Sequence, residues 1–489
     1  MKAKFSPYLT RLAQFFRELS QELSKDYNYV SILSTDSVGF AVRISQRSKS
    51  VSSKTMTTER GTVIRVHDQG LYSEYAFNDI DCSRAMYQTL NERRSYVLET
   101  AEKIKTELGR QMNILKRTET EVYTTPTLKD EERVLLAEKE AEILPEEADM
   151  EKLIGYLSGL SDQGVASLEG ALDCVMSAQC THINKMFITP KQYLRQSYCY
   201  AEGTAVLIAT NGEDTKFAYE GVSGLGGVEI FDGLEEKLLS AVKQAKELLS
   251  SGRIEPGEYD IITAPSITGL IAHEAFGHGV EMDMFVKNRA LGKEYINQRV
   301  GSDLVTMHEG ALCGDTVTAF AFDDEGTLAG DVTEIDHGIL KTGICDALAA
   351  LRLGVEPTGN GKRENFEHKV YTRMTNTVFD SGSDSLEEMI ASIKHGYLLD
   401  GTESGMEDPK HWGIQCIVSR GYEIRDGVLT GRVVSPVVMT GYVPDLLGSI
   451  SMASSDRVLE GNGGCGKGYK EWVKVADGGP YLKARARLG

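Results

Sequence analysis

Turn signals constrain the second half of this chain more than any other feature. Beyond residue 310 they fall at 324–326, 336–338 and 426–427, each an Asp leading into a Gly between short β-prone runs. Gly adopts the left-handed backbone that tight turns require, and Asp closes such turns with its own side chain. The pattern therefore predicts hairpins in a mainly antiparallel sheet. The clearest helix of that half is expected at 386–395, capped by Ser383 or Asp384 and ended by Gly396. No solenoid period and no low-complexity tract occurs.

The first half alternates helices and strands. Leu9, Leu12, Phe15, Phe16, Leu19 and Leu23 recur at helical spacing, apolar stretches follow at 30–33 and 40–44, and 62–66 reads as a strand closed by Asp68 and Gly70. Residues 129–152, punctuated by Pro126 and Pro145, carry ten acidic and four basic side chains, a composition that reads as solvated helices or a bridge. Asn211-Gly212 between 206–209 and 216–219 predicts a hairpin. Leu234, Leu238, Leu239, Val242, Ala245 and Leu249 then mark an amphipathic helix that stops at Gly252. A chain of 489 residues exceeds one ordinary core. The expected fold is α+β, with an N-terminal mixed α/β domain with a helical bridge at 1–229 and a C-terminal, mainly antiparallel β domain at 230–489.

With 53 Lys plus Arg against 72 Asp plus Glu, the net charge of −19 repels phosphate backbones and anionic lipid, and no basic run offsets it. Nucleic-acid and membrane partners are not expected. The basic start, MKAKFSPYLTRLAQFF, lacks an apolar core and cleavage site, and no apolar run is long enough to cross a bilayer, so the expected setting is the cytoplasm. Eight scattered cysteines read mostly as reduced, buried, small apolar residues.

The strongest local signal is the segment 258–283, EYDIITAPSITGLIAHEAFGHGVEMD: a strand at 259–263, a break at Pro265, then a helix capped by Ser266 or Thr268 that carries His273, Glu274 and His278. Histidines five apart lie about 140° apart around a straight α-helix, too far to share an ion. A π-helical widening, or a break after Phe276, would bring them together, with Gly277 the residue suited to permit it. Glu274 would then take a proton from metal-activated water. Taken alone, two histidines near a glutamate are more often ordinary core or surface residues. Gly277 and Gly279, costly within a helix, weigh against that reading.

A catalytic zinc has three protein ligands and an open position. Cys465, in EGNGGCGKGYKEW, is the best-placed third candidate: its glycines let the backbone approach a site and Lys467 favours the thiolate. A buried thiol in a glycine-rich turn is the plainer alternative. GNGGCGKG also fits part of a phosphate-binding loop, but position 468 lacks the Ser or Thr that holds magnesium, and EWVKVADGG reads as strand and turn. GVSGLGG at 221–227 reads as turn or close packing, and no GxSxG occurs.

HEAFGHGVEMD is similar to the HExxxH signature of TldD/PmbA proteins, GCGKGYKEWVKVADGGPYLK resembles their C-terminal cysteine segment, and PTGNGKRENFEHKVYTRMTNT at 357–377 resembles a third family segment. The resemblance covers 255–489 well and the ERGTVIRV region more loosely; residues 90–200 match only in general helical character. The ending ARARLG departs from the usual Val-Gly-Gly. The resemblance implies that His273, His278 and Cys465 ligate Zn2+ and that Glu274 is the general base. It also implies peptidase activity on short or unfolded peptides, and a dimer with a second copy or with a metal-free PmbA/TldE-like paralogue. Family names also mention modulation of DNA gyrase, which supplies the alternative of a non-catalytic partner acting by protein binding. The intact ligand set argues against it, because the paralogues thought inactive lack those ligands.

Overall fold

The computed structural model describes residues 2–117, 124–467 and 471–489. Gly468, part of the phosphate-loop comparison, lies outside the described residues.

The N-terminal half is built on an eight-stranded sheet with the order Leu71–Phe77, Arg60–Asp68, Tyr29–Ile44, Ala171–Ile188, Gln192–Thr210, Arg133–Glu138. Lys49–Ser52 pairs with Tyr29–Ile44, and Thr215–Leu225 pairs with Gln192–Thr210. All pairings are antiparallel except that of Arg133–Glu138, whose parallel partner is Gln192–Thr210. The helix Pro7–Leu23 buries the six apolar residues that set its period, packing them with helix Leu90–Arg117 against Val30, Ile32, Ile64 and Val66. Helices Met150–Ala166 and Leu234–Leu249 cover the other part of the sheet through Leu157, Leu238 and Ala245 against Phe40 and Leu207.

Three expectations are corrected here. Arg133–Glu138, inside the acidic stretch, is a strand with Val134 and Leu136 exposed. Its alternating period was hidden by the charge around it. The general helical character of 90–200 ends at Ala166, because Ala171–Ile188 and Gln192–Thr210 are the two longest strands of the sheet. The late helix is shorter, Leu386–Ala391, and Ser385 caps it in a reciprocal capping box with Glu388. His395 instead begins a strand that carries backbone into the active region.

The C-terminal half contains a closed ring of strands. His395–Asp408 pairs in parallel with Gly257–Thr263, which is followed by antiparallel Leu482–Leu488, Val437–Tyr442 and Gly413–Arg425, and the last returns to His395–Asp408. Closure removes edges that would otherwise expose unpaired backbone. Despite its unusual ending, the C-terminal strand is internal to this ring. A second sheet orders Ile339–Leu340, Val332–Asp336, Met307–Glu309, Asn376–Phe379, Ala476–Gly479 and Val458–Glu460. The turn glycines Gly326, Gly338 and Gly427 all have positive φ, near 80°, as the turn pattern predicts. Among the described residues no helix is long and apolar enough to cross a membrane.

The two halves meet through buried ion pairs. Arg65 Nε lies 2.7 Å from Glu74 and its guanidinium also meets Glu325, while Arg363 Nη2 lies 2.6 Å from Glu74. Lys474 Nζ reaches Glu202 at 2.5 Å.

Candidate metal centre

Strand Gly257–Thr263 runs through Ala264 into helix Pro265–Ala272. Proline suits a first helical position, since its missing N–H has no intrahelical partner there. Neither Ser266 nor Thr268 caps this helix. Ser266 Oγ lies 3.3 Å from Asp400, and the Thr268 hydroxyl is 2.7 Å from that of Thr263.

Residues His273–Gly277 then form one π-helical turn, and its wide hydrogen bond runs from the N–H of His278 to the carbonyl of His273. The widening thus spans the two histidines themselves and turns both imidazoles to one side. Gly277 has an ordinary helical φ of −62°, so its glycine is required for space and not for an unusual backbone. A Cβ there would collide with Met374 Sδ.

Cys465 comes from a two-stranded ribbon, Gly464–Lys467 with Glu471–Lys474. Its Sγ lies 3.2 Å from His273 Nε2 and 3.2 Å from His278 Nε2. The three donor atoms all lie within 4.8 Å of one another. Tetrahedral zinc with Zn–N and Zn–S bonds of ordinary length would hold N and S about 3.5 Å apart, so the donor set fits that ion. Burial pushes the Cys465 thiol up, but the two imidazoles and their hydrogen bonds overcome it and hold it at about 4. A thiolate is the form that ligates metal.

Each imidazole has a carboxylate near its Nδ1, and the one at His278 is within hydrogen-bond reach, the arrangement that fixes ring orientation in metal sites. Glu281 Oε2 is 3.3 Å from His278 Nδ1, and Asp477 Oδ2 is 3.7 Å from His273 Nδ1. Glu281 is fully buried; burial pushes its carboxyl up, but Lys467, His278 and Arg373 pull it down to about 2. Arg373 also donates to the Cys465 carbonyl at 2.8 Å, tying the ribbon to the site. Lys467 differs from expectation. Its ammonium pairs with Asp283 at 2.7 Å and Glu281 at 3.1 Å, and the charges held against the thiolate are the imidazoles.

Glu274 is 7% exposed and lines the same groove, a cavity of about 1130 Å³. A Cβ on Gly405 would lie 2.6 Å from Glu274 Cγ, so only glycine lets the strand His395–Asp408 close over this side chain. Burial raises the Glu274 carboxyl above the usual range, against the pull of His273 and His278. Further along the strand, both carboxylate oxygens of Glu407 are buried without a hydrogen-bond partner, and burial pushes its pKa up to about 9.

The structure brings His273, His278, Glu274 and Cys465 to one groove. Reasoning from single segments missed Glu281, Arg373, Glu407 and Asp477. Glu281 stood three residues beyond His278, at a spacing that places it on the same side of the turn. Arg373 lay inside the third family-like segment and Asp477 inside the cysteine segment, while Glu407 carried no sequence signal.

Residues 256–485 match the family described as PmbA/TldA metallopeptidase C-terminal domain. A metalloprotease from Methanocaldococcus jannaschii is 31% identical over 281 residues, 58% of this chain and 61% of that protein. A zinc metalloprotease TldD homolog from Saccharolobus solfataricus is 29% identical over 289 residues, 57% of this chain and 62% of that protein. The matched region thus spans less than two thirds of the curated relatives. The crystal structure of TldE from Thermococcus kodakarensis superposes with a TM-score of 0.73 at 15% identity, covering 97% of this chain and 100% of that one. At that identity the likeness is one of fold.

Proposed function

We propose, from the match of residues 256–485 to the PmbA/TldA metallopeptidase C-terminal domain and the likeness to metalloproteases, that this chain is a TldD/PmbA-type zinc-dependent peptidase acting on short or unfolded peptides. The observation that carries this reading is the convergence of His273 Nε2, His278 Nε2 and Cys465 Sγ beside a buried glutamate. These three atoms would hold the ion and leave a fourth position open toward the groove. When bound, zinc supplies Lewis acidity toward a water and the scissile carbonyl. Glu274 takes the proton of the attacking water on its carboxylate and returns it to the leaving amine; burial makes that carboxylate a stronger base than an exposed one. Glu281 and Asp477 orient the imidazoles.

Substrate enters extended. The parallel pairing of His395–Asp408 with Gly257–Thr263 ends at Leu399, and among the described residues no strand pairs with that side of Thr402 to Glu407, which line the groove. A peptide adding there pairs through its backbone, which favours unfolded chains over any one side chain. A folded protein has its backbone groups already paired. The reading carries with it a cytoplasmic setting and a dimer with a second copy or a PmbA/TldE-like paralogue. A non-catalytic partner role has less support, since such a role requires neither the donor set nor Glu274.

Metal analysis of the purified protein tests the proposal. One zinc per chain is expected in the wild type and none in Cys465→Ser; equal zinc in both would overturn the assignment.

A further inference from the structure

The groove over the triad differs in charge from the rest of the chain. Among its described lining residues are eight carboxylate side chains against two basic ones, Arg420 and Lys467, whereas the whole chain has 72 acidic to 53 basic. Both bases are already engaged, Arg420 by Asp400 and Lys467 by Asp283 and Glu281. Glu403 and Glu460 have no ion pair among the described residues.

Backbone geometry directs two of these carboxylates into the groove. Pairing along the strand His395–Asp408 shifts between Thr402↔Val418 and Ser404↔Ile417, leaving Glu403 as the extra residue of a bulge. Bulges re-aim side chains beside active sites, and Glu403 is exposed to the groove. In the second sheet Glu460 stands directly opposite Asp477 in antiparallel register. Like charges in that position repel; His273 lies 3.7 Å from Asp477, but among the described residues no ion pair reaches Glu460. A cation from outside would relieve the repulsion. The same groove exposes the rings of Phe217, Tyr219 and Trp472, surfaces on which an apolar stem packs and a cation rests.

We infer that this groove selects positively charged peptides: substrates with lysine or arginine near the scissile bond are taken in preference to acidic ones, with Glu403 and Glu460 as specificity-determining residues. The inference rests on the peptidase reading and adds a substrate class to it. Backbone pairing holds the chain, and the carboxylates decide which chains are held longest.

The test uses the zinc-loaded full chain and three peptides of one length that carry Lys, Gln or Glu at the positions flanking one bond. Cleavage is followed by mass spectrometry and binding by fluorescence anisotropy of labelled peptides. Lys over Gln over Glu is expected, with at least ~10-fold between the extremes at low salt and a smaller ratio as salt screens the groove. The double variant Glu403→Gln/Glu460→Gln should bring the Lys-to-Glu ratio within about 3-fold, while Glu460→Asp, which keeps the charge, should preserve it. Equal binding and cleavage of the three peptides by the wild type, or an unchanged ratio in the double variant, would overturn the inference and leave the peptidase reading standing. Cleavage of none would overturn the peptidase reading, and the anisotropy ratio would still decide the charge preference.

Discussion

The seam between the halves and the groove over the triad both hold buried charge, but they use it differently. At the seam each charge meets an opposite one: Arg65 with Glu74 and Glu325, Arg363 with Glu74, Lys474 with Glu202. In the groove, among the described residues, His273 Nδ1 and both oxygens of Glu407 lack hydrogen-bond partners, and the exposed Glu460 stands opposite Asp477. Leaving a buried carboxylate unpaired is costly, and Glu407 answers by holding its proton, its pKa pushed up to about 9. At the seam charge holds the fold, and in the groove polar groups stay open to an incoming chain.

The contrast breaks most visibly at the triad. His278→Ala should abolish zinc binding and all cleavage while leaving the unfolding free energy of metal-free protein nearly unchanged; metal analysis beside a denaturant titration shows both. Glu274→Gln should keep its zinc and lose cleavage by a factor of at least ~10². Retained activity would remove Glu274 from its role as base.

At the seam the pattern should invert. Glu74→Gln leaves Arg65 and Arg363 short of a partner and should cost about 3 kcal/mol in urea unfolding, with zinc content unchanged. Burial pushes the Glu74 carboxyl up, but Arg65 and Arg363 hold it down at about 2, below its unfolded value of 4.5. Its contribution is therefore present above pH 4.5 and lost as pH falls toward 2. Acid titration of wild type and Glu74→Gln should converge in that window. Parallel curves would show that Glu74 contributes nothing there.

The smallest effect concerns the division at residue 230, which we propose as the boundary between domains 1–229 and 230–489. Helix Leu234–Leu249 packs on the N-terminal sheet through Leu234, Leu238 and Ala245. Limited proteolysis that cuts after this helix, and not before it, would move the boundary toward residue 256, where the family match begins.

Residues that act over short range were legible in the sequence. Leu9 to Leu23 and Leu234 to Leu249 announced their helices because one buried face repeats every turn. His273, Glu274 and His278 stood out because they share six residues, and their spacing called for either a π-helical widening or a break after Phe276, of which the structure shows the first. The strand Arg133–Glu138 was hidden because its alternate apolar residues are themselves exposed, so charge density dominated the reading. The roles of Glu407 and Asp477 were hidden for a different reason, although Asp477 stood inside the quoted cysteine segment. Each is an ordinary acid until the closed ring and the second sheet carry it to the histidines.

The ribbon that carries Cys465 has a consequence for the endurance of the molecule. His278 and Cys465 are 187 positions apart, and a metal gripping both would fasten the chain into a loop of that size. By chain-entropy reasoning such a fastening removes about 5 kcal/mol of freedom from the unfolded ensemble, on the scale of a disulfide across the same span. A chelator would then do more than stop hydrolysis: it would unlace the C-terminal half and shorten its lifetime under heat or protease.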